Sequence, residues 1–185
     1  MKMAVDSPDL NAPCLPEYFR NLVKDAIEAQ KERHGISPPE GVEFYLTNLL
    51  QGCLSTTDLY GNSTEGFREE PLAFIFIRAC RANAELRIKL LKRLGDFSLF
   101  ISGFFPASLT RQVVDIGYYI QMGESAYGSL SQIMARHSAF SEIFSELADR
   151  FVTYVDILSE VSEKATLKSD SDLLRLYEHW QRTGS

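Results

Sequence analysis

The chain has 185 residues, and 25 acidic against 19 basic side chains give a formal net charge of −6. That length suits one domain, and 45% apolar residues with 11% aromatics supply a substantial core, which excludes wholesale disorder. The acidic balance argues against a general nucleic-acid coat or a polybasic membrane binder.

Residues 1–16 hold Pro8, Pro13 and Pro16 without a regular period and read as an N-terminal arm, leaving 17–185 as a single helical domain. The opening MKMAVDSPDLNAPCLP has no apolar run of the signal-peptide kind and carries Asp6 and Asp9. No apolar stretch approaches the roughly 20 residues of a membrane-spanning helix. Cys14, Cys53 and Cys80 are odd in number and contain no CxxC pair, so neither a disulfide framework nor a zinc site is expected. The expectation is a cytoplasmic protein with no membrane and no nucleic-acid partner.

The first helix is written by Phe19, Leu22, Val23, Ala26 and Ile27, at the spacing of one apolar face, with Gly35 as its stop. Ser37-Pro38-Pro39 turns the chain into a second helix striped by Val42, Tyr45, Leu46, Leu49, Leu50 and Cys53. Residues 55–70 are rich in Ser, Thr, Gly and charge and form the longest candidate loop. Pro71 suits the first turn of a third helix, for which the pattern predicts Ile77, Cys80, Ala84, Ile88 and Leu91 as the buried stripe. Gly95 reads as its end with Asp96 capping FSLFISGFF, a continuous helix being the alternative, and Pro106 as the final stop.

Ser108 is a candidate cap for a fourth helix, on which Val113, Ile116, Ile120, Gly123, Tyr127, Leu130 and Met134 recur in threes and fours. Phe140, Phe144, Leu147, Phe151, Tyr154, Leu158 and Val161 then repeat as 4-3-4-3-4-3, predicting one helix over 138–164, about 40 Å long. A short helix after Ser169 carries Leu173, Leu176, Tyr177 and Trp180 on one face. The expected fold is all-α, an antiparallel bundle of about six helices with that long helix as its spine.

Three features carry candidate chemistry. In LGDFSLFISGFFP, Phe97, Phe100, Phe104 and Phe105 surround small residues, and Asp96 must cap, reach water or pair with a cation, because burying a lone carboxylate is costly. These rings either fill the core or line a pocket for an apolar or planar ligand. On the fourth helix, Gly117, Gly123 and Gly128 sit beside Tyr118, Tyr119, Gln121, Met122 and Glu124. Glycine there fits close helix contact, or a ligand against bare backbone. The candidate ligand-binding set is therefore Asp96, Phe97, Phe100, Phe104, Tyr118, Tyr119, Met122, Gly123 and Glu124, between residues 94–106 and the helix 109–134.

The third feature is charge segregation. Arg78, Arg81, Arg87, Lys89, Lys92 and Arg93 crowd the third helix, while Glu142, Glu146, Asp149, Asp156, Glu160 and Glu163 lie along the fifth. Such faces are either solvated or matched to a partner. No catalytic constellation emerges. GESAY at 123–127 lacks the second glycine and preceding strand of a nucleophile elbow, which removes Ser125 as a nucleophile. His34, His137 and His179 are dispersed, so no metal site and no cofactor are predicted; a haem is the alternative, with nothing to select its histidine.

The segments LGDFSLFISGFFP and VDIGYYIQMGESAYGSL resemble those of an uncharacterised bacterial all-helical family, over about residues 72–135. The resemblance implies a bacterial, cytoplasmic helical domain and brings no activity and no site. The leading functional expectation is a non-enzymatic interaction module acting through an apolar helix face, on a protein partner or as a homodimer. A small-molecule binder is the alternative. An enzyme using Asp96, Asp115, Glu124 and Tyr118 for proton transfer is third.

Overall fold

The computed structural model describes residues 15–55, 71–105, 115–136 and 138–165. They form seven helices and no strand: α1 Leu15–His34, α2 Val42–Ser55, α3 Leu72–Arg81, α4 Ala84–Phe104, α5 Ile116–Ile133, α6 Ser138–Asp149 and α7 Phe151–Lys164. The fold is all-α, as the periodicity predicts. The loop expected over 55–70 lies mostly outside the described residues, as do Pro106, Ser108, Val113 and the short helix after Ser169.

The α1 apolar face buries Phe19, Val23 and Ala26 completely. Its end is set by Gly35, whose φ of +66° is the left-handed conformation that glycine adopts without penalty, and whose N–H bonds Lys31 O at 2.8 Å. Packing runs α1 on α2 and α7, α7 on α4, α4 on α5, and α5 on α6, with α3 laid across α4 and α5. Gly95 faces Tyr127 and Ser98 faces Gly123, so α4 and α5 run antiparallel. Tyr127 stacks on Phe144, and Ser131 and Ser141 exchange hydrogen bonds of 3.0 and 3.1 Å, so α5 and α6 do likewise.

Three expectations are corrected. The chain breaks at Ala82–Asn83, where the Asn83 side chain accepts the Leu86 N–H at 2.9 Å and starts α4. The break resets the helical phase: α3 buries Leu72, Ile75 and Ala79, whereas Ile77, Cys80 and Ala84 are exposed. Gly95 ends nothing, since α4 passes through it to Phe104, so Asp96 is not a cap. Finally, the predicted spine is two helices divided at Arg150, whose ψ of 34° leaves helical geometry. Phe144, Leu147, Phe151, Tyr154, Leu158 and Val161 are all buried, but Phe140 is exposed.

Candidate functional site

Asp96 is the junction of three helices. Midway along α4, its Oδ1 accepts the Tyr127 hydroxyl of α5 at 2.8 Å and also the Tyr45 hydroxyl of α2. Its Oδ2 receives the Lys92 ammonium at 2.5 Å, one helical turn back. The same ammonium lies 5.2 Å from the centre of the Tyr45 ring, a cation–π contact. Of the options open to this carboxylate, it takes a cation and adds two phenols. Tyr127 is fully buried, and burial together with the Asp96 charge drives its phenol well above the ordinary tyrosine range.

Small residues on α4 and α5 admit the large rings. A Cβ on Gly95 would stand 2.6 Å from Tyr127 Cε1, one on Gly123 2.2 Å from Phe151 Cζ, and one on Gly103 2.5 Å from Leu158 Cβ. Gly123 thus lies against a protein ring, where the alternatives were helix contact or a ligand. Between these glycines, Ser98 and Ser102 are buried, and their Oγ atoms have no hydrogen-bond partner among the described residues.

The candidate ligand set is spread over separate contacts. Phe97 meets Tyr119 with ring centres 6.5 Å apart, and Tyr119 meets Tyr118 at 5.9 Å. Phe100 stacks on Phe104 at 4.9 Å near the α4 terminus. Met122 and Glu124 are half-buried on α5. Asp96 bonds none of these; its partners Tyr45, Tyr127 and Lys92 lay outside the candidate set. Lys92 was legible as an i, i+4 partner, whereas Tyr45 is 51 residues away and carried no signal.

Two other members of the basic and tyrosine groups act on α3. The Tyr118 hydroxyl accepts the Ala73 N–H at 2.8 Å, satisfying an orphan donor of the first turn. The Arg87 guanidinium donates to Ala79 O, Cys80 O and Ala82 O at 3.2, 2.9 and 3.2 Å, capping the other end. Held in this way, α3 turns Phe74 and Ile77 outward at 59% and 44% exposure, with Arg78 and Arg81 on the same face. The positions i, i+3, i+4 and i+7 fall within about one third of the helix circumference.

The acidic stripe divides by burial. Glu160 is ion-paired to Arg33 at 3.3 Å and Lys164 at 2.9 Å, and Glu146 to Arg150 at 3.4 Å. Tyr154 donates to Glu146 Oε1 at 2.9 Å; its burial and that carboxylate raise its phenol pKa. Glu142, Asp149, Asp156 and Glu163 point to solvent. Ser125 is exposed on α5, and His34 is exposed at the end of α1; His137 and His179 lie outside the described residues. Among the described residues no group of three or more His, Cys, Asp or Glu side chains is placed to hold a metal, and no helix is long and apolar enough to cross a membrane. No family model matches the chain, and no curated protein or solved structure matches it either.

Proposed function

We propose that the protein is a non-enzymatic helical interaction module whose contact surface is the outward face of α3. The observation that carries this reading is the pair Phe74 and Ile77, at 59% and 44% exposure one turn apart and flanked by Arg78 and Arg81. An exposed aromatic with adjacent arginines is the composition that recurs at the centre of protein interfaces. The clamps from Tyr118 and Arg87 add preorganisation, because a helix fixed before binding loses less entropy on binding. The Asp96 cluster supports the same reading from the other side: both of its carboxylate oxygens are engaged in joining α2, α4 and α5.

A photo-reactive phenylalanine analogue placed at position 74 tests this in the native host. A covalent protein adduct is expected at 74 and not at Phe44, which is more exposed at 69% but lies on α2. No adduct at position 74, or equal adducts at both positions, would overturn the reading.

A further inference from the structure

We infer that the partner of the α3 face is the acidic face of a second copy of this chain, so that protomers associate head to tail. The inference rests on the interaction reading above and names its partner by charge complementarity. On α3 the apolar side chains Phe74 and Ile77 each precede an arginine, Arg78 and Arg81, by four residues. On α7 the exposed Val152, at 51% exposure, precedes the exposed Asp156 by the same four residues. Four residues rise about 6 Å along a helix. A near-parallel seating of α3 on α7 of another copy therefore places Val152 on the Phe74 and Ile77 side chains while Asp156 meets Arg81.

The surrounding charges favour this register. Asp149 and Glu163 flank Asp156 at seven-residue intervals and are exposed, as is Glu142 on α6. Glu142, Asp156 and Glu163 have no ion-pair partner among the described residues, whereas the inner carboxylates Glu146 and Glu160 are already paired. The basic groups next to α3 are partly engaged within the chain, Arg87 on carbonyls and Lys89 in an exposed pair with Glu85 at 2.6 Å. Arg81 carries the outward positive charge beside Ile77. Two like-charged α3 faces would repel each other, which disfavours a two-fold contact of α3 on α3; the contact of α3 on α7 joins different patches, the kind that forms rings or open chains.

Sedimentation velocity of the full-length protein over a range of concentration and salt tests the inference. Species heavier than the 20.9 kDa protomer are expected, increasing with concentration and diminishing as salt screens the pairs. Arg81→Glu and Asp156→Arg, both at exposed positions, are each expected to weaken self-association about tenfold or more, the scale of losing one close charge pair. Circular dichroism of each variant, expected to match the parent, checks that it is folded. Mixing the two singles restores association with the two variants alternating, because the α3 face of each is opposite in charge only to the α7 face of the other. The double variant Arg81→Glu with Asp156→Arg regains the long-range association. A monomer at every concentration, or association untouched by Asp156→Arg, would overturn head-to-tail pairing. If a position-74 adduct to a different protein persisted beside that monomer, the interaction reading would stand while this one fell.

Discussion

Tyr127 and Gly95 are shaped to each other: the phenol ring rests where a Gly95 side chain would begin, 2.6 Å from Cε1, and from that seat its hydroxyl reaches the adjoining Asp96 at 2.8 Å. Position and hydrogen bond are therefore one device, with the ring located by a missing Cβ and held by a carboxylate.

Removing the carboxylate strands more than it deletes. Asp96→Ala leaves the fully buried Tyr127 hydroxyl without its acceptor and takes the Tyr45 and Lys92 contacts with it. A loss of about 2–3 kcal/mol is expected in urea unfolding. Tyr127→Phe removes the donor as well and leaves Asp96 with two partners, so its cost is about 1 kcal/mol. Equal losses for the two variants would contradict this assignment.

Glycines in the same bundle should answer oppositely to alanine. Gly123→Ala drives a methyl to 2.2 Å from the Phe151 ring. Overpacking of about 1–3 kcal/mol should outweigh the roughly 1 kcal/mol gained in helix propensity. Gly52→Ala in α2 meets nothing within 4 Å among the described residues and should stabilise by up to about 1 kcal/mol. Thermal midpoints moving in opposite directions would check both.

Alkaline pH should loosen the fold through its buried phenols. The folded pKa of Tyr127 lies above its unfolded value, so its contribution is fully present below about pH 10 and is lost as pH rises through the folded pKa. In that window the unfolded chain gives up a proton that the folded one retains, and stability falls by about 1.4 kcal/mol per pH unit for this group. Tyr154 acts in the same direction. Tyr127→Phe should flatten the decline, measured by denaturant unfolding at successive pH values with tyrosinate absorbance as the probe.

Arg87→Ala should free the last turn of α3. Three carbonyls lose the guanidinium, Ala79 O keeping only the Ala82 N–H, so amide exchange is expected to quicken across α3 ahead of α4, with a global loss of about 1–2 kcal/mol. Arg87→Lys should not restore protection, because one ammonium cannot reproduce the guanidinium fork. Uniform exchange rates across both helices would refute the capping role.

Helical character was legible wherever burial follows a single phase, as in α1, where Phe19, Val23 and Ala26 are all fully buried. The break at Arg150 was not, because the 4-3 alternation continues across it from Leu147 to Phe151 and Tyr154. The Ala82–Asn83 break left a trace in the Asn83 cap, masked by a good helical run on either side. Gly95 misled for a different reason: its use is to admit a ring from α5, a tertiary requirement that no local pattern displays. For Asp96, its neighbour Lys92 was written one turn away, while Tyr45 and Tyr127 became neighbours only through the bundle's topology.

Both fastenings of α3, the Tyr118 hydroxyl and the Arg87 fork, grip main-chain atoms. The outward side chains of Phe74, Ile77 and Arg81 take no part in these two fastenings. That surface can be rewritten residue by residue during evolution, changing what it recognises while the scaffold underneath stays as it was.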